Sequence, residues 1–127
     1  MKAVIVNAAA SGSLKVGDAP EPVPNSHEAI IKVGSFSLNR GELRRAQSSE
    51  DGKQIGWDLV GAVETSARDG SGPSKGDRVV GFSRRMDGWA ELVALPTNDF
   101  AVIPDSVSDQ DAATLPVAGL TALYALE

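Results

Sequence analysis

The stretch "IGWDLVGAVE", Ile55–Glu64, sets a Trp and an Asp side by side behind one glycine and follows them with an apolar run broken by another. Asp58–Ser66, "DLVGAVETS", reads as a strand, and Gly61 inside it marks a bulge or the close approach of another backbone. Two readings of Gly56-Trp57-Asp58 are open. The triplet serves turn chemistry and packing alone, or it belongs to an active-site segment that once held a metal.

Working outward, short strands and turns recur. "MKAVIV" opens the chain as a β-branched run. Pro20, Pro22 and Pro24 force an extended, non-helical connection. "EAIIKVGSFSLN" reads as a strand, with Ile31 and Val33 on one face and Ile30 and Lys32 on the other. "NRGELRRAQ" reads as one or two helical turns with Asn39 as N-cap. "SSEDGKQ" and "ARDGSGPSKGD" are polar loops, and "RVVGF", "WAELVAL" and "FAVIP" are further strands. This density of short strands with glycine turns indicates an antiparallel barrel or sandwich.

The texture changes at Pro104. "DSVSDQDAATLPVAGLTALYALE" is rich in Ala and Leu and lacks a turn cluster. Ser108 and Asp111 resemble a capping box. Pro116 divides the region into two helices and suits the first turn of the second. Leu120, Leu123, Tyr124 and Leu126 give that second helix an apolar side. The helix reads as unfinished at Glu127. The expected organisation is a mainly β domain over 1–104, with linking helices over 105–127.

The 127 residues suffice for one domain with a core. The net charge of −5 argues against nucleic acid, which demands basic patches. No cysteine is present, so disulfides and thiolate metal sites are excluded. No stretch approaches a signal peptide or a membrane span, and a soluble cytoplasmic protein with no membrane partner is expected. The sole histidine, His27, sits in the proline-flanked connection and reads as solvated.

The segments "VGSFSLNRGEL", "GWDLVGAVE", "SKGDRVVGF", "GWAELVALP" and "DAATLPVAGLTALYAL" follow one another from Val33 to Leu126. Their order and spacing resemble the N-terminal GroES-like catalytic domain of the medium-chain dehydrogenase/reductase superfamily. Within it they look like the zinc-independent quinone oxidoreductase and enoyl reductase branch. The resemblance covers nearly the whole chain. It implies a GroES-like β-barrel followed by a Rossmann nucleotide-binding domain outside this sequence. No G-x-G-x-x-G is present, and Gly70-Ser71-Gly72 reads as a turn.

The resemblance also locates a site. In zinc-dependent members a Cys, a His and a second Cys hold the metal. The matching places here fall on Asn39, on Trp57 and near Val117, which form no zinc site. Asn39 is expected near the nicotinamide, hydrogen-bonding cofactor or substrate, besides its capping role. Gly119, Leu120 and Thr121 match a block at the nicotinamide end of the cofactor. Trp57 is expected to fill the space of the absent metal or to wall a substrate pocket. Asp58 is expected to be structural, pairing with an Arg or tying down the barrel mouth.

Glu42, Arg44 and Arg45 are read as a solvated helix face. Gly76–Val79 is read as turn chemistry, Trp89 as packing and Glu91 as an exposed rim. Tyr124 is read as packing. The implied cofactor is NADPH, with NADH possible, and no zinc. The implied activity is reduction of quinones, enones or similar small carbonyl compounds by hydride transfer, in an enzyme that in this family is commonly a dimer. The alternatives are a stand-alone GroES-like scaffold without catalysis and a relative that kept the fold and lost the function.

Overall fold

A computed structural model describes all 127 residues. In chain order the strands are β1 (Lys2–Val6), β2 (Leu14–Asp18), β3 (Glu28–Ser35), β4 (Asp58–Thr65), β5 (Arg78–Phe82), β6 (Leu92–Pro96) and β7 (Phe100–Val102). The helices are α1 (Arg40–Gln47), α2 (Asp109–Ala113) and α3 (Leu120–Leu126), with a π-helical turn at Leu115–Gly119 between the last two. β1 and β2 form a hairpin, and the other strands form one sheet in the order β6-β3-β4-β5-β7. Every pairing is antiparallel. The curled sheet and the hairpin meet through bridges from Ala3 to Ala90 and from Ile5 to Gln54, giving a half-barrel.

The core follows from strand alternation. Ile31, Leu59, Val63, Val79, Val93, Leu95 and Phe100 point into one cluster with Ala3 and Ile5 of the hairpin. Full burial of such a side chain contributes about 1.5–3 kcal/mol before the entropy of ordering it. The "DLVGAV" run is apolar at successive positions because β4 is covered on both faces. Leu59 enters the barrel core, while Val60 packs on the other side with Ile103, Ala112 and Ala113. Thus α2 is a lid on the outer face of the sheet. Arg78 fastens it, donating to Asp109 (2.7 Å) and to the Val107 carbonyl (2.9 Å).

Gly61 explains itself here. A Cβ at this residue would lie 2.1 Å from the Lys32 carbonyl oxygen, so the strands close only over a glycine. Beside it the register shifts between Val33 and Ser35, a bulge that turns the end of β3 toward α1.

Three sequence expectations change. β2 forms from Leu14–Asp18, a stretch that carried no strand reading, because the hairpin gives Val16 and Gly17 partners in Val4 and Ala3. Pro116 does not simply separate one helix from the next. Gly119 donates to the Thr114 carbonyl at 3.1 Å, an i→i−5 bond, so the chain continues from α2 to α3 through a widened turn. The Ser108 cap is present, with its hydroxyl accepting from the Asp111 N–H at 3.1 Å. Asp111 does not complete a box. Its carboxylate instead accepts from the Ser108 hydroxyl at 2.7 Å.

Candidate functional site

The bulged end of β3 delivers Ser37, Leu38 and Asn39 to the start of α1, and β4 begins directly opposite with Trp57 and Asp58. Asn39 is the N-cap, in extended conformation, and forms a capping box with Glu42. Glu42 does more than cap. One carboxylate oxygen accepts the Asn39 N–H at 2.6 Å and the other accepts the Trp57 N–H at 2.6 Å. Glu42 is fully buried. The solvated-face expectation is therefore corrected for Glu42. The helix turns this residue inward because both its oxygens meet backbone N–H groups that lack another partner. Burial pushes its carboxyl above the usual range, the two N–H groups pull it back, and the nearby Asp58 charge adds to the rise.

Asp58 is the second buried carboxylate. It accepts from the Ser37 hydroxyl, from Asn39 Nδ2 at 3.0 Å and from the Val117 N–H at 3.1 Å. Of the two roles expected for Asp58, the structure has the tie at the barrel mouth. Its partners are three neutral donors from two separate segments, and no Arg is among them.

Both glycines of the opening stretch are now accounted for. Gly56 has φ +115° and a Cβ there would fall 2.3 Å from Trp89 Cδ1, so conformation and space both demand glycine. Trp89 is buried beneath it, donates from Nε1 to the Ser37 carbonyl at 3.1 Å and stacks on Phe36. Trp57 is half-buried. Its ring stacks on Phe82 with centroids 6.4 Å apart and lies against Gly41, where a Cβ would come within 2.8 Å. The α1 backbone and Phe82 thus fix the indole plane.

The places matched to zinc ligands converge. Asn39 and Val117 bond to the same carboxylate, and Trp57 is its chain neighbour. Their side chains are an amide, an indole and an isopropyl group, which supply no donor set for zinc.

On the linker side, Gly119 has helical φ, and a Cβ there would meet Leu115 Cδ2 at 3.3 Å. Leu120 lines a groove of about 530 Å³ with Phe82, Leu115, Pro116, Arg84 and Asn98. Thr121 is exposed on α3. The fold therefore joins Asn39, Trp57 and Val117 in one network and links them through Phe82 to the groove that holds Leu120. Glu42, Ser37 and Phe82 were missed as site residues. The Asn39-x-x-Glu42 spacing carried a capping signal for Glu42, whereas Ser37 and Phe82 reach the site only by strand pairing.

No protein-family model matches the chain. The chain is 30% identical over 120 residues to the dehydrogenase orsE of Emericella nidulans, covering 86% of this chain and 34% of that protein. Among solved structures, a quinone oxidoreductase from Coxiella burnetii superposes with a TM-score of 0.88 at 28% identity, over 99% of this chain and 44% of that one. The quinone oxidoreductase of Thermus thermophilus, known also as an NADPH complex, gives 0.79 at 27% identity over 99% of this chain and 40% of that one. The chain spans about a third of the length of the curated relatives it matches. No helix is long and apolar enough to cross a membrane. Sequence likeness over 86% of the chain and superposition over nearly all of it show the family: the chain belongs to the medium-chain dehydrogenase/reductase superfamily, in its quinone oxidoreductase-like branch.

Proposed function

We propose that this chain is the catalytic-domain portion, 1–104 with linking helices 105–127, of a cytoplasmic NAD(P)H-dependent oxidoreductase that works without zinc on quinones, enones or similar small carbonyl compounds. The observation that carries this reading is the Asn39 amide. One Nδ2 hydrogen is spent on Asp58 at 3.0 Å, and the other has only a 3.5 Å approach to Ser37 Oγ, at the outer limit of a hydrogen bond. A half-buried donor with one weak partner therefore lies beside the Trp57 ring. That suits a carbonyl oxygen on which charge develops.

NADPH, when bound, would supply the hydride. The residues present suit its nicotinamide end. Leu115, Pro116, Leu120 and Phe82 give apolar walls, and Arg84 and Asn98 give polar points. Thr121 and Gly119 follow on the same helical path. Trp57 excludes water and orients a flat substrate. Asn39 donates to the substrate oxygen or to the cofactor amide. Binding and orientation, rather than titratable groups, carry the rate.

The test is oxidation of NADPH by the full natural polypeptide with a small quinone and with an enone, before and after a strong chelator. Turnover unaffected by the chelator supports the reading, and turnover abolished by it overturns the zinc-free claim. A second reading is an assembly module without catalysis. The exposure of Leu123, Tyr124 and Leu126 on α3 favours it, because such a face packs against another surface. Self-association with no NADPH binding would select that reading.

A further inference from the structure

Asp58 is an expensive residue to keep. A fully buried carboxylate with no cation beside it persists only where donors saturate its oxygens. Here the donors come from two segments distant in sequence: the Ser37 hydroxyl and the Asn39 amide just past the end of β3, and the Val117 N–H of the linker. Each is a group that needs an external acceptor. Val117 is the first N–H after Pro116, which has none, and it is directed out of the widened turn to Asp58. A carboxylate only accepts, so it selects the NH₂ end of Asn39 and fixes which way the amide points. The two oxygens divide the work. Oδ2 takes Ser37 and Asn39, and Oδ1 takes Val117.

We propose that Asp58 is a positioning residue that sets the spacing between the Asn39 donor and the Leu115–Gly119 turn, so that the barrel half and the linker half of the site move as one unit. Glu42 holds the same asparagine through the capping box, its carboxylate taking the Asn39 N–H at 2.6 Å, while Asp58 takes the NH₂ end of the side chain. The proposal rests on the oxidoreductase reading for its kinetic consequence but not for its geometry.

The experiment has two arms on the full natural polypeptide. In the first, Asp58→Asn and Asn39→Ala are combined in a double-mutant cycle with NADPH and a small quinone. The amide introduced by Asp58→Asn would set an NH₂ group against either Asn39 or Val117, donor against donor. Asp58→Asn is expected to lower kcat on the order of 10-fold in the wild-type background, as loss of a partner that orients a site residue commonly does. With Asn39 already Ala, the same change is expected to cost about 2-fold or less. Equal losses in both backgrounds overturn the proposal, since a purely structural residue would give them. In the second arm, NMR couplings through the hydrogen bonds are sought in labelled wild type, from Val117 N–H and Asn39 Nδ2–H to the Asp58 carboxyl carbon. Both couplings support the proposal, and absence of either overturns it, even if Asp58→Asn fails to fold. A wild type that turns over no quinone or enone sinks the oxidoreductase reading, and the couplings then judge Asp58 by themselves.

Discussion

The Glu42 carboxylate reaches from α1 to the start of β4 and accepts the Trp57 backbone N–H at 2.6 Å. Through its other oxygen it holds the Asn39 N–H, so one buried side chain sets the distance between the helix cap and the Trp57 backbone.

This arrangement has a pH consequence. Burial raises the Glu42 carboxyl above its ordinary value of 4.5, against the pull of the Trp57 and Asn39 N–H groups. The folded state therefore binds that proton more tightly than the unfolded chain. Stability from this group is fully present below the unfolded value and is lost as pH rises through the folded one. Urea melts from about pH 4 to 7 should show this falling component in the wild type and lack it in Glu42→Gln. An identical pH slope in the two proteins would contradict the assignment.

Glu28 behaves in the opposite sense. Burial pushes its carboxyl up, but the Asn25 N–H and the Arg85 guanidinium outweigh that, and the net position is below the usual range. Its stability is present above the unfolded value and is lost as pH falls through the folded one. Arg85, bonded to Glu28 at 2.7 Å, is itself half-exposed, so solvent screens the pair. Arg85→Ala should cost about 1 kcal/mol at neutral pH and move the acid-unfolding midpoint upward. Circular dichroism against pH reads both.

Gly61 gives the sharpest packing prediction. An alanine there would drive its Cβ to 2.1 Å from the Lys32 carbonyl oxygen, and backbone is a poor thing to move. Gly61→Ala should destabilise by about 3 kcal/mol, seen as a lower urea midpoint with an unchanged slope. By contrast, Gly52→Ala meets no atom within 4 Å and loses only the ease of its φ of +86°. It should cost about 1 kcal/mol.

The convergence around Asp58 can be tested by building a metal site. Trp57→His alone should bind no zinc, because Asn39 and Val117 supply no thiolate. The triple variant Asn39→Cys, Trp57→His, Val117→Cys should take up zinc stoichiometrically by elemental analysis. Failure of the folded triple variant to bind would show that the three side chains do not face one centre.

Much of this was legible in the residues. The strand and turn pattern, the Asn39 cap, the glycine at the β3–β4 crossing and the order of five segments all rest on local rules. Period-2 alternation, cap chemistry and φ demands act within a few residues of where they are written. Asn39 and Trp57 became site candidates once the family resemblance was in view, and the sequence and structural likenesses then bore out the family.

What the sequence could not state is how far side chains from separate segments would share partners. Glu42 looked like a surface residue because its neighbours, Arg44 and Arg45, are on the surface, and only the return of β4 placed the Trp57 N–H against it. Asp58 offered a choice between an arginine and the barrel mouth, and tertiary contact alone brought Ser37, Asn39 and Val117 to it. Local chemistry fixes elements because its energies act at short sequence separation. The site is a matter of long-range contact, where a buried carboxylate takes whatever donors the closed barrel presents, and those partners exist only after the fold has formed.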